Sequence, residues 1–231
     1  MIPSPSDGAP RVSSALASLA ASGPLPRLSW TGVVDGTPER LELSGRVSAT
    51  WANKVANLLV EEIDAGPGTR VVLDLPLHWR TLAWATGAWL TGATVVAAEI
   101  VDAPDVEHPP GGSELPDVLV TASASAAKDA VRDGVELVVL VPMASFALRV
   151  VGGLPAGALD GAADVAAQPD DLGPVRTTEA ARTALELDGR TWTFADLFGR
   201  EEPGGTGETW WGAVAVREWS SDADVVLEGA G

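Results

Sequence analysis

The chain switches between two hydrophobic periods. Val12 to Ala21 (VSSALASLAA) has the composition of a short helix, closed by Gly23-Pro24. Arg40 to Leu43 alternates charged and apolar residues as a half-buried strand does, and Ser44 then stands where a helix takes its N-cap. Beyond it Val47, Trp51, Val55, Leu58 and Leu59 recur at steps of three or four, giving one apolar stripe that Ala65-Gly66-Pro67-Gly68 ends. Arg70 to Leu75 (RVVLDL) is nearly continuous in apolar residues, the pattern of a strand covered on both faces. A helix over His78–Leu90 and a strand over Ala93–Ala98 follow.

After a connection rich in Pro, Gly and acid (Pro104 to Pro116), the alternation resumes. It gives a strand at Asp117–Thr121, a helix at Ser123–Arg132 and a strand at Val135–Val141. Strands separated by helices of this kind predict a parallel sheet, and the right-handed crossover rule then selects a doubly wound arrangement. The expected fold is α/β: three layers, a mostly parallel sheet, helices on both faces. Gly152 to Pro174 predicts a loop with one short helix near Gly161–Ala167, and Thr178–Leu185 a further helix. Ala184–Leu187 and Thr191–Phe194 predict a hairpin over Asp188-Gly189, and Ala213–Val216 and Asp224–Leu227 two closing strands. Residues 1–231 read as a single α/β domain.

Thr81 to Ala98 contains no charge, which is close to the minimum for a membrane span. Gly87 and Gly92 interrupt it and threonine recurs within it, so it reads as a buried helix entering a buried strand. Met1 to Pro10 has neither a basic start nor an apolar run, and the expected location is cytoplasmic.

Composition narrows the chemistry. Without cysteine, a disulfide scaffold, a thiolate metal site and a cysteine nucleophile are all excluded. The formal charge of -17 argues against nucleic-acid or anionic-membrane partners, which would repel it. That charge is uneven: residues 1–100 hold nine carboxylates against seven basic groups, and residues 101–231 hold 23 against eight.

Several segments resemble the opening of the adenylate-forming (AMP-binding) enzymes, the acyl-CoA synthetase superfamily. The matching residues are Leu58-Leu59, Gly66-Pro67-Gly68-Thr69-Arg70-Val71 against the family's G-x-G-D-R-V, Leu75-Pro76 and Gly92-Ala93. W-x-x-K-x-A-N-L-L (Trp51, Lys54, Asn57) and L-P-x-H-W (Pro76, His78, Trp79) are similar to a group of short actinobacterial proteins built like the front part of such a synthetase. The resemblance implies the N-terminal subdomain of that fold, with a family-like core at 28–150 and a divergent acidic part at 151–231. It also implies a phosphate loop of the form S-G-T-T-G-x-P-K, an adenine segment, a ribose-binding aspartate and a lysine in a separate C-terminal domain. The segment most like the loop, Leu187 to Thr193, has one glycine and no lysine, and Gly204-Gly205-Thr206-Gly207 is followed by Glu208. ATP brings about four negative charges to a half-chain with 23 carboxylates. A like-charge pair 4 Å apart costs about 4 kcal/mol at an effective dielectric near 20.

The candidate ligand-binding residues are therefore few. His78 follows a strand, at the sheet edge where open α/β folds place ligands, and a lone histidine there is more often a cap. His108 lies in an acid- and proline-flanked loop and is expected to be inert. Ser123 and Ser125 begin a helix, as caps or as an anion site. Asp188, Gly189, Arg190, Thr191 and Thr193 are what a degenerate phosphate loop would offer. Asp74 is a carboxylate within a strand, and Glu61-Glu62, Asp170-Asp171 and Glu201-Glu202 read as solvated surface. Trp79, Trp84 and Trp89, five apart, would not share one helical face, so some should meet core and others solvent or a partner, and Trp210-Trp211 would point to opposite sides of a strand. No catalytic residue and no metal ligand is assigned. The expected function is a binding or assembly module without adenylation activity, with self-association and an unidentified small-molecule ligand as its partners. The alternative is a ligase-class protein holding ATP or AMP, with Mg²⁺, on Asp188–Thr193.

Overall fold

A computed structural model describes residues 11–97, 115–198, 211–220 and 223–229. Helix α1 (Arg11–Ala21) is followed by strands β1 (Pro26–Val34) and β2 (Thr37–Ser44), then α2 (Gly45–Ile63). Strand β3 (Arg70–Asp74), α3 (Trp79–Thr91) and β4 (Thr94–Ala97) come next, then β5 (Val118–Thr121), α4 (Ala124–Asp133) and β6 (Leu137–Leu140). The chain continues through β7 (Ala158–Asp160), α5 (Ala163–Ala167), β8 (Thr183–Leu187), β9 (Arg190–Thr193) and α6 (Phe194–Phe198) to α7 (Trp211–Ser220) and β10 (Val225–Glu228).

Seven strands form one sheet in the order β7-β6-β5-β3-β4-β8-β9, parallel except for β9. A second sheet, β10-β1-β2, was not foreseen. The fold is the expected α/β sandwich, and period two sorts the strand residues between its layers. Val71, Leu73, Val95, Val118 and Val139 join the larger core with α1, α2, α3 and α7, while Val72, Val96, Leu119 and Val138 meet Ala127 and Ala130 of α4.

Helix termini follow local chemistry. Ser44 caps α2 by accepting the Val47 amide at 3.4 Å, and the helix closes on Asp64 in the left-handed conformation. Gly92, at φ 87°, ends α3 and separates it from β4, so the uncharged stretch is two elements. Among the described residues no helix is long and apolar enough to cross a membrane.

Three expectations were wrong. Thr178–Leu185 is no helix: Thr183–Leu187 pairs in parallel with β4, so sheet pairing overrides the helix-favouring composition. Ala213–Val216 is helical rather than extended, since Gly212, Val216 and Trp219 recur at three to four residues on the buried side of α7. Trp211 therefore opens a helix, while Trp210 lies outside the described residues, as do His108, Glu201-Glu202 and Gly204–Glu208. Trp79, Trp84 and Trp89 are all buried, because α3 is enclosed by the sheet and by α1, α2 and α7. A helix covered on every side does not need a single apolar face.

Candidate functional site

The parallel strands end together. Asp74, Thr121, Leu140 and Asp160 stand in register across β3, β5, β6 and β7. Strand β3 has β4 on one side and β5 on the other, so the chain reverses its direction of travel across the sheet there. Outside the carboxyl ends at such a point, open α/β sheets hold their ligands. Thr121 Oγ1 donates to Asp74 Oδ2 at 2.5 Å across this seam, and accepts the Ser123 amide at 3.0 Å.

Beside the seam, over β5 and β6, lies a cleft of about 440 Å³. Val141, Met143, Ala147 and Val151 line it, and among the described residues its charged side chains are Asp35 and Arg149. Asp35 reaches it from the tip of the β1–β2 hairpin, where Asp35 and Gly36 have φ of 49° and 76°, the torsions of a type I′ turn. Arg149 comes from the 141–157 loop and makes no ion pair among the described residues.

Buried polar groups hold that loop. Arg80, 4% exposed in the first turn of α3, donates Nη2 to the carbonyls of Ala147 (2.8 Å) and Ser145 (3.4 Å). Its guanidinium carbon sits 4.6 Å from the Trp79 ring centre and 5.8 Å from that of Trp51. Burial lowers its pKa to about 10, opposed by the negative charges of Asp160 and Glu39, so it stays protonated at neutral pH. Glu39 accepts the Ser145 amide at 2.9 Å, and Asp160 accepts the amides of Val150, Ala162 and Ala163 at 2.7 to 3.0 Å.

The residues singled out from sequence occupy three places. His78 is the N-cap of α3: its Nδ1 accepts the Arg80 amide at 3.2 Å, and its ring meets Trp30 edge to face at 4.4 Å. At 1% exposure, and next to the Arg80 charge, its pKa falls to about 3, mainly through burial. Ser123 caps α4, accepting the Ala126 amide at 3.2 Å, and its hydroxyl lies 2.9 Å from that of Ser125. Asp188 and Gly189 form a second two-residue turn (φ 48° and 76°) at the far edge of the sheet. Arg190, Thr191 and Thr193 belong to the edge strand β9, and Thr193 forms a reciprocal cap with Asp196. These three places are not brought into one site.

The residues behind the family resemblance are brought together, for structural work. Trp51 and Trp79 stack edge to face at 5.5 Å, and Thr81 Oγ1 donates to the Pro76 carbonyl at 2.7 Å. Asn57 donates to the carbonyls of Pro169 and Asp171 and accepts the Gly173 amide. Lys54 donates to the carbonyls of Ala166 and Gln168 and pairs with Asp170 at 2.9 Å. Asn53, Lys54 and Asn57 of α2 thus clamp the 166–173 segment.

Solved structures with this arrangement include acyl-CoA synthetases. An acyl-CoA synthetase of Brucella canis superposes over 95% of the chain with a TM-score of 0.62 at 18% identity, the chain covering 46% of it. The chain has the fold of the front part of an adenylate-forming enzyme. A coronafacic acid ligase of Pectobacterium brasiliense (TM-score 0.66, 9% identity, 45% of its length covered) and the acetoacetyl-CoA synthetase of Streptomyces lividans (0.62, 18%, 38%) agree over 95% of the chain. The chain spans less than half the length of each of these proteins. No family model matches. A Mycobacterium tuberculosis protein, named only for its sequence family, is 48% identical over 58 residues, which is 25% of this chain and 23% of that protein.

Sequence reasoning missed Arg149, Met143 and Asp35. A signal for the first two was present: between Glu136 and Asp160 the acidic half holds no carboxylate, and Arg149 is the only charge.

Proposed function

We propose that this chain is a binding module built on the front part of an acyl-CoA-synthetase fold, without adenylation activity, which holds a small molecule in the carboxyl-edge cleft. The observation that supports it is the closed form of Asp188–Thr193, the segment most like a phosphate loop. A phosphate cradle needs free backbone N–H groups aimed at one point. Here the segment is a tight turn and a strand, and the Thr193 amide and hydroxyl both donate to Asp196 at 2.8 and 2.7 Å. The cleft offers an apolar wall, with Val141, Met143 and Ala147, at the fold's usual ligand position. Residues 1–231 act as one α/β domain in this reading, since β8 and β10 from the acidic part complete sheets begun by β4 and β1.

Thermal-shift titration with ATP–Mg²⁺, AMP and an acyl-AMP analogue tests the reading. No rise in melting temperature with any nucleotide is expected. A nucleotide-dependent rise abolished by Arg190→Ala overturns it and establishes the ligase-class alternative.

A further inference from the structure

The outer side of the loop that walls the cleft has a different character from the rest of the acidic half. Phe146, Leu148 and Val151 are 77%, 84% and 89% exposed, and Leu154 is 42% exposed. Together these side chains offer on the order of 500 Å² of apolar surface, at the upper end of what a monomer leaves uncovered. The loop beneath them is nevertheless fixed, through the Arg80, Glu39 and Asp160 contacts to its backbone. Keeping a guanidinium buried costs free energy, and here that cost goes into ordering an exposed apolar loop. Surfaces ordered before contact lose less entropy on binding.

Charge identifies what covers it. Each copy carries -17, nearly all of it in residues 101–231, so the acidic halves of two copies repel each other. The 137–159 segment is the exception, with Arg149 as its only charge and Asp35 across the cleft as the nearest acid lining the same cavity. A two-fold contact needs a patch complementary to itself, and an apolar surface bearing one cation and one anion meets that condition. We propose that Phe146, Leu148, Val151 and Leu154 form the contact between two copies of this chain, with Arg149 of each copy pairing with Asp35 of the other. Both copies together would bury on the order of 1,000 Å², the size of a weak, reversible contact. This dimer rests on reading the chain as a binding module and names one of its partners.

Sedimentation equilibrium of the full chain tests it, from about 1 to 200 µM, the range in which a weak, reversible contact assembles. The mass should rise from 23.7 kDa towards twice that value. Phe146→Asp with Leu148→Asp should remain monomeric throughout, with an unchanged melting temperature, because both side chains are mostly exposed. Arg149→Glu, also at an exposed position, should weaken association by about tenfold or more. A monomeric mass at the highest concentration, or a dimer that survives both variants, overturns the proposal. Nucleotide titrations of the monomeric variant remain free to succeed or fail, so the two readings are tested apart.

Discussion

His78 makes the stability of this protein depend on pH between its folded and its unfolded pKa. In the fold its imidazole is neutral, since burial and the neighbouring Arg80 hold its pKa near 3 against an ordinary value of 6.5. In the unfolded chain it takes up a proton as pH falls through 6.5. Between these two values the unfolded state binds the extra proton, so stability rises with pH there. The contribution is complete above pH 6.5 and is lost progressively down to about 3. The slope is about 1.4 kcal/mol per pH unit once unfolded His78 is mostly protonated, so roughly 2 kcal/mol is lost at pH 5. Urea titrations of the wild type and of His78→Asn at pH 7.5 and pH 5 measure it. Asparagine keeps an N-cap acceptor and removes the titration. Carboxylates, net charge and His108 cancel in the comparison, leaving the His78 contribution. The wild type should lose about 2 kcal/mol more than the variant between the two pH values. Equal losses would refute the neutral, buried state of this ring.

Gly87→Ala should destabilise by about 1–3 kcal/mol, because a Cβ there would stand 2.5 Å from Val55 Cγ1 and 2.9 Å from the Ala52 carbonyl where α2 and α3 cross. The urea midpoint should fall with an unchanged slope. Asp160→Asn removes the charge that accepts three backbone amides and faces Arg80, at a cost of about 2–3 kcal/mol. Hydrogen exchange should show the Val150 amide losing protection. Ser123→Ala should cost about 1 kcal/mol through the lost cap, measured by thermal melting.

Much of the fold was legible because its central units obey local rules. The strands β3, β4, β5 and β6 are apolar runs between recognisable breaks, and Ser44, His78 and Ser123 stand at the caps of their helices. Asp188-Gly189 gave a hairpin by the Asp-Gly rule. The same dipeptide turns β1 into β2 at Asp35-Gly36, which was not foreseen, and Pro38 lies within β2. Proline is tolerated there because β2 is an edge, and edge position is a property of the assembled sheet. The candidate site was legible only in part. His78 was placed at the sheet edge and Ser123 at a helix start, but Arg149 and Asp35 are separated by more than a hundred residues. Nothing local signals that they share a cleft.

The sequence by itself determined the layer architecture, the parallel sheet and the uneven charge, because these follow from periodicity, breakers and counting. Only the tertiary structure decided what Arg80, Glu39 and Asp160 do, since they come from a helix and two different sheets and meet on one loop. It also decided that three tryptophans of α3 are core, because a helix enclosed on all sides shows no amphipathic stripe. Local pattern specifies which element forms; which elements share a surface depends on how the strands order themselves in the sheet.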